Sequence, residues 1–259
     1  MRRNQNLNFR GNRPKNLKKT FDICTRFTII ELFQSSEIFS GEKNKGMDDT
    51  LKFFEEYKII AVIRASEHSD AEAIAKALVD GGIKIIEVTP NVPQATKLIE
   101  SLAKLNQILV GFGSPTDAEQ AHRAINSGAR YVSSHYSDKN LFTVCKNNNA
   151  FVIQGAATPT EAIEAYNLGV DLVKIYPANF LGEAPYVNRL KRSFPFLKLV
   201  ATGGVNLDNF LEYIKVGATA CAITRSLCDK TLIRAHQWSE ITERAKQFTQ
   251  KLESLKVPR

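Results

Sequence analysis

Short β-branched and apolar runs alternate with amphipathic segments along most of this chain, and that alternation limits the fold more than any other feature. Residues 58–63 (KIIAVI) are apolar after the first position, as a strand buried on both faces should be. Residues 70–80 (DAEAIAKALVD) carry apolar side chains at helical spacing, and Gly81-Gly82 stops them. The unit then repeats. Further strands are predicted near 83–88, 108–111, 130–134, 150–154, 171–176, 198–202 and 218–223. Helices are predicted near 93–105, 115–127, 138–146, 159–168, 185–192 and 207–216, with a long terminal helix over 233–252. Eight such units are the number that closes a (β/α)8 TIM barrel, so the expected fold is α/β, a single barrel domain. An open doubly wound sheet is the competitor. The regular spacing, and the lack of a third glycine after Gly111-Phe112-Gly113, argue against a dinucleotide fold.

Composition agrees with that size. The chain has 259 residues, 43% hydrophobic and 24% charged, and a single barrel typically needs about 250 residues. Four cysteines lie far apart with no CxxC pair, so neither a disulfide framework nor a zinc site is expected, and a reducing cytoplasm fits. No apolar run approaches the ~20 residues of a membrane helix, so no membrane partner is expected. The net charge of +8 invites a nucleic-acid reading, but its distribution weakens it. Residues 1–46 hold ten Lys/Arg against four Asp/Glu; the remaining residues hold 25 against 23. The body is nearly balanced, so nucleic acid is not an expected partner.

Residues 1–20 are rich in Asn, Arg and Lys and nearly lack apolar side chains, the composition of a disordered segment. The stretch 21–33 is broken by Arg26 and Glu31, which argues against a secretory leader. Only Met1 and Met47 are methionines, and the barrel-like pattern begins just after Met47. We therefore expect a basic, disordered N-terminal extension over 1–46 and a barrel over 47–259. A misassigned start is an equivalent reading; an organellar transit peptide is the alternative, because no acid precedes Asp22.

In a barrel of this type the C-terminal strand ends form the active face. The polar residues there are Arg64, Glu87 with Thr89 and Asn91, Ser114, Ser134 with His135, Gln154, Lys174, Thr202 with Gly203-Gly204, and Thr224 to Ser226. They should converge on one cavity. Lys174 lies inside the apolar segment DLVKIYPA. It either snorkels to the rim and binds an anion, or is desolvated into a neutral amine that attacks a ketone to form an iminium. Glu87 sits inside the apolar KIIEVT. It forms an ion pair with Arg64 or Lys174, or acts as a general acid/base. Thr202, Gly203 and Gly204 end the seventh strand, where backbone N–H groups can cradle a phosphate; a simple tight turn is the alternative. Asn206 is the expected cap of the helix that follows. Ser114 either bonds a carboxylate or caps its helix. The four histidines lack metal-ligand spacing and are expected to be structural or at the surface.

Taken together, EVT at 87–89, GFGS at 111–114, VKIYPA at 173–178 and ATGGV at 201–205 resemble the KDPG/KHG aldolase family. KDPG is 2-keto-3-deoxy-6-phosphogluconate and KHG is 4-hydroxy-2-oxoglutarate. The resemblance runs from about Tyr57 to Thr231 and leaves residues 1–46 outside. It implies a class I aldolase on a TIM barrel, a homotrimer without metal or cofactor, acting on a small-molecule 2-keto acid, phosphorylated in the case of KDPG. Products would be pyruvate and an aldehyde. By resemblance Lys174 is the Schiff-base lysine, Glu87 the acid/base, and Ser114 stands where the family usually has a carboxylate-binding Thr. Gly203, Gly204 and Ser226 match the phosphate-binding groups.

The chain also departs from that pattern. The family commonly follows EVT with Leu-Arg-Thr, whose Arg grips the substrate carboxylate; here Pro90-Asn91-Val92 stands instead. Replacing that charge-assisted bond by a neutral one costs on the order of 1–3 kcal/mol unless another group substitutes, and Arg64 is the candidate. Thr224-Arg225 replaces the usual Gly-Gly before Ser226, so Arg225 either grips phosphate or the pair obstructs it. Ser134-His135-Tyr136 replaces Ser-Pro-Gly, and Gln154-Gly155 replaces Pro-Gly. The competing functions are oxaloacetate decarboxylation through the same imine, a phosphosugar-binding barrel without Schiff-base chemistry, and a non-enzymatic barrel whose basic tail binds nucleic acid or membrane.

Overall fold

The computed structural model describes residues 43–255. Eight strands are present: β1 (Ile59–Ile63), β2 (Ile85–Val88), β3 (Leu109–Gly113), β4 (Tyr131–Ser133), β5 (Phe151–Ala156), β6 (Leu172–Ile175), β7 (Leu199–Thr202) and β8 (Ala220–Ile223). All pairings are parallel and follow chain order, and β8 returns to β1 through Cys221 opposite Ile59, which closes the barrel. The helices are α1 (Lys43–Tyr57), α2 (His68–Asp80), α3 (Ala95–Ala103), α4 (Ala118–Asn126), α5 (Lys139–Asn147), α6 (Pro159–Leu168), α7 (Glu183–Ser193), α8 (Phe210–Lys215), α9 (Lys230–Arg234) and α10 (Trp238–Glu253). This is the (β/α)8 TIM barrel that the alternation predicts.

Every strand position is buried, as it must be when helices cover the outer face and side chains fill the inner one. Alternate residues then separate into two apolar bodies. Val110, Val152, Val173 and Ala201 pack outward against the helices. Ile85, Leu109, Ile153, Leu172 and Val200 point inward.

The inner body ends at the N-terminal strand ends on α1, an element the sequence reading did not anticipate. Leu51, Phe53, Phe54 and Tyr57 of α1 pack there. Phe54 is fully buried, edge-on to Tyr131 at 5.1 Å and stacked on Phe151 at 5.3 Å between ring centroids. The helix works as a plug, and the boundary expected between residues 46 and 47 falls inside it. The reading of residues 1–42, Cys24 included, lies outside the described residues.

Local signals explain where elements start and stop. Thr158 accepts from Glu161 N at 3.3 Å, and Glu161 accepts from Thr158 N at 2.8 Å. This reciprocal box and Pro159 fix the start of α6 at the predicted residue. Two expectations need correction. The single terminal helix is broken: α9 ends at Arg234, and His236 takes φ 49° before α10 begins. A left-handed residue cannot continue a helix, so the chain turns there. Asn206 is not the first cap of α8. Its Oδ1 accepts from Asp208 N and Asn209 N, making a separate polar turn, and α8 starts later at Phe210. Among the described residues, no helix is long and apolar enough to cross a membrane.

If α1 plugs the barrel, Phe54→Ala should lower unfolding free energy by about 3–5 kcal/mol in urea denaturation. A loss below about 1 kcal/mol would mean that the barrel end closes without it.

Candidate active site

The inner face becomes polar toward the C-terminal ends of the strands. Glu87 follows Ile85 on the inward side of β2, and Lys174 follows Leu172 on the inward side of β6. These strands lie opposite one another in an eight-membered ring. The two side chains meet across the interior: Lys174 Nζ is 3.4 Å from both Glu87 Oε1 and Glu87 Oε2. Each side chain is 1% exposed. Of the two ion-pair partners considered for Glu87, the structure therefore selects Lys174.

Glycine makes room for this contact. A Cβ on Gly113 would lie 2.0 Å from Glu87 Oε1 and 2.4 Å from its Cδ, so only glycine lets the carboxyl rest against β3. Tyr131 and Ser133 point inward from β4. Their hydroxyls are buried with no hydrogen-bond partner among the described residues. Burial and the nearby Glu87 charge push the Tyr131 phenol well above its usual range, so it stays protonated. Neither hydroxyl was singled out by the sequence; the inward alternation of β4 was the available signal.

Arg64 continues β1 beyond its last residue. It is exposed and makes no ion pair or hydrogen bond among the described residues. Thr89 follows β2, and its buried hydroxyl bridges the Ile63 carbonyl, at 2.8 Å, and the Asn91 side-chain amide. Asn91 is thus tethered to its own strand end. Ser114 sits just past β3 at φ 59°, its N–H donating to Ser133 O at 2.6 Å. It does not cap α4; Asp117 does, accepting from Gln120 N at 2.7 Å. Ser114 Oγ lies 3.2 Å from His135 Nδ1 instead.

His135, expected among the strand-end residues and to be structural or at the surface, is half-buried at the mouth, and its ring lies 4.1 Å from that of Tyr176. Burial, then the positive charges of Lys174 and Arg64, lower its pKa to about 4, so the imidazole is neutral at pH 7. Gln154 and Ser134 need correction. Gln154 is fully buried but faces away from the cavity, donating to Asp138 O at 2.8 Å and accepting from Ser137 Oγ at 2.9 Å. Ser134 Oγ is bound to Tyr136 O. Side chains alternate along a strand, so Ser134 and Gln154 share the outer face with Val132 and Val152.

A second cluster forms where β7 and β8 end. Thr202 Oγ1 donates to Ala222 O at 2.9 Å, joining the two strands. Gly203 and Gly204 take φ 92° and 75°, a conformation that favours glycine. They lie against Pro177 and Asn179 of the segment after β6. Ser226 Oγ donates to Val205 O at 3.2 Å, which ties the two loops together. The N–H groups of Gly204, Val205 and Ser226 have no acceptor among the described residues. Arg225 is exposed beside them. No group of three or more His, Cys, Asp or Glu is placed to hold a metal ion among the described residues.

A buried lysine against a carboxylate, flanked by hydroxyls on one side and by unsatisfied backbone donors on the other, suits a substrate with a reactive carbonyl and anionic ends. The comparisons agree. Residues 50–244 match the family model described as KDPG and KHG aldolase. A 2-dehydro-3-deoxy-phosphogluconate aldolase of Treponema pallidum is 29% identical over 197 residues, 76% of this chain and 94% of that protein. A probable 2-dehydro-3-deoxy-6-phosphogalactonate aldolase of Rhizobium meliloti is 28% identical, covering 66% of this chain and 82% of that one. The crystal structure of KDPG aldolase from Legionella pneumophila, with pyruvate captured as a covalent carbinolamine, superposes with a TM-score of 0.70 at 30% identity. It covers 76% of this chain and 96% of its own. The chain therefore belongs to the KDPG and KHG aldolase family, a family of carbon–carbon lyases.

Proposed function

We propose that this protein cleaves KDPG and/or KHG by class I chemistry, with Lys174 as the Schiff-base nucleophile and Glu87 as the acid/base. The observation that carries the reading is the 3.4 Å approach of Lys174 Nζ to both carboxylate oxygens of a side chain equally cut off from water. An amine so placed hands its proton to Glu87 and attacks the C2 ketone. Glu87 returns the proton to the carbinolamine hydroxyl, water leaves, and an iminium remains on Nζ. A carboxylate then takes the proton of the C4 hydroxyl, the C3–C4 bond breaks, and its electrons pass into the iminium as an enamine. The aldehyde departs. Protonation at C3 and addition of water release pyruvate and restore the amine. The pyruvate carbinolamine captured in the Legionella pneumophila aldolase supports the same opening step here.

The remaining groups divide between the two ends of the substrate. Arg64, Ser114 and Asn91 serve the carboxylate end. Arg64 has no competing partner among the described residues and offers a planar, doubly donating fork. Gly203 and Gly204, with Thr202, Arg225 and Ser226, serve a phosphate at the other end through backbone N–H groups, one hydroxyl and one guanidinium.

Steady-state assays with both substrates test this division. Lys174→Met should reduce kcat on either by more than about 10⁴-fold, and Glu87→Gln by about 10²–10⁴-fold. Substantial turnover by Lys174→Met would overturn the mechanism. Ser226→Ala should raise KM for KDPG about tenfold, the loss of one bond to a charged group, and leave KM for KHG unchanged. An equal rise for both substrates would remove Ser226 from the phosphate site.

A further inference from the structure

We propose that His135 is a positioning residue, donating from Nδ1 to Ser114 Oγ so that the serine hydroxyl is aimed at the substrate carboxylate; this rests on the aldolase reading above. The need for such a residue follows from Ser114 itself. Its backbone is held by the 2.6 Å bond to Ser133 O, yet an unbranched side chain keeps three χ1 wells. A hydroxyl free among three wells binds a carboxylate poorly, because ordering it opposes the bond it makes. His135 Nδ1, 3.2 Å away, selects one well.

The imidazole is itself fixed from two sides. Its ring is tilted 34° against Tyr176 at 4.1 Å. Its backbone lies on β5 where Gly155 leaves space, since a Cβ there would sit 2.1 Å from the His135 carbonyl carbon. Burial and the charges of Lys174 and Arg64 keep the ring neutral at pH 7. A neutral ring carries one N–H. With the proton on Nδ1, the chain of donation runs from His135 to the Ser114 oxygen and from the Ser114 hydrogen to the carboxylate. Each donor has one acceptor, and no donor faces another. His135 adds no charge of its own beside Arg64. The arrangement sharpens a carboxylate site that holds Asn91 at the end of β2.

Two variants separate the ring from the bond. His135→Phe keeps an aromatic face for Tyr176 and removes the donor. His135→Asn removes the ring and keeps an amide N–H at the place of Nδ1. We expect His135→Phe to raise KM for the 2-keto acid about tenfold with kcat within about twofold, and His135→Asn to restore KM to near the wild-type value. In a Ser114→Ala background, His135→Phe should have no further effect on KM, since the bond it removes is already gone. An unchanged KM in His135→Phe, or an equal rise in the Ser114→Ala background, would overturn the proposal while leaving the Schiff-base reading intact. Absence of pyruvate adduct formation in the wild-type protein would instead defeat that reading. Should His135→Phe fail to fold, the Asn variant and the Ser114→Ala pairing decide the matter: a raised KM in His135→Asn that persists with Ser114→Ala refutes it.

Discussion

Lys174 and Glu87 face one another across the closed interior, an amine and a carboxyl 3.4 Å apart and 1% exposed. Burying such a pair is expensive. Each ion gives up hydration worth several kcal/mol, and apolar residues of similar volume often serve stability as well or better. The rest of the inner face shows that the fold can be filled that way: Ile85 and Leu172, one inward step below the pair, are fully apolar and buried. A structural account of the contact is therefore weak, and a chemical one is favoured.

Barrel closure makes the contact possible. β2 and β6 are far apart in sequence and never pair; only a ring of eight strands brings their inner faces together. The α1 plug packs against the opposite end around Phe54, Tyr131 and Phe151, so the amine and carboxyl sit above an apolar floor. Gly113 clears the carboxyl's resting place. The Lys174–Glu87 contact is thus determined by strand alternation and closure. The groups proposed to hold the substrate's ends, Arg64, Asn91, Ser114 and Arg225, all lie just past strand ends, outside the paired strands.

Much of this was legible in the sequence. Apolar runs buried on both faces revealed the strands, and their count revealed closure. A Lys and a Glu embedded in such runs could only point inward or be misplaced, so both were visible as candidates before any coordinates. What escaped depended on tertiary context. Period-two alternation says which residues share a face but not which face is inner, so Gln154 was assigned to the cavity and lies outside it. His135 offers no metal spacing, and its bond to Ser114 joins two loops that only the closed barrel makes neighbours. The break at His236 reflects a left-handed backbone that a histidine does not advertise. Helix α1 was hidden by its proximity to a segment of quite different composition, though Leu51, Phe54 and Tyr57 carry helical spacing.

Central to the proposed chemistry is the Lys174 amine as a nucleophile toward a 2-keto acid. The most direct measurement is mass spectrometry of the full chain after borohydride reduction in the presence of pyruvate. The expected result is a reduced pyruvate adduct located on Lys174 and none on the Lys174→Met variant. An unmodified wild-type chain, or an adduct on another lysine that persists in that variant, would contradict it.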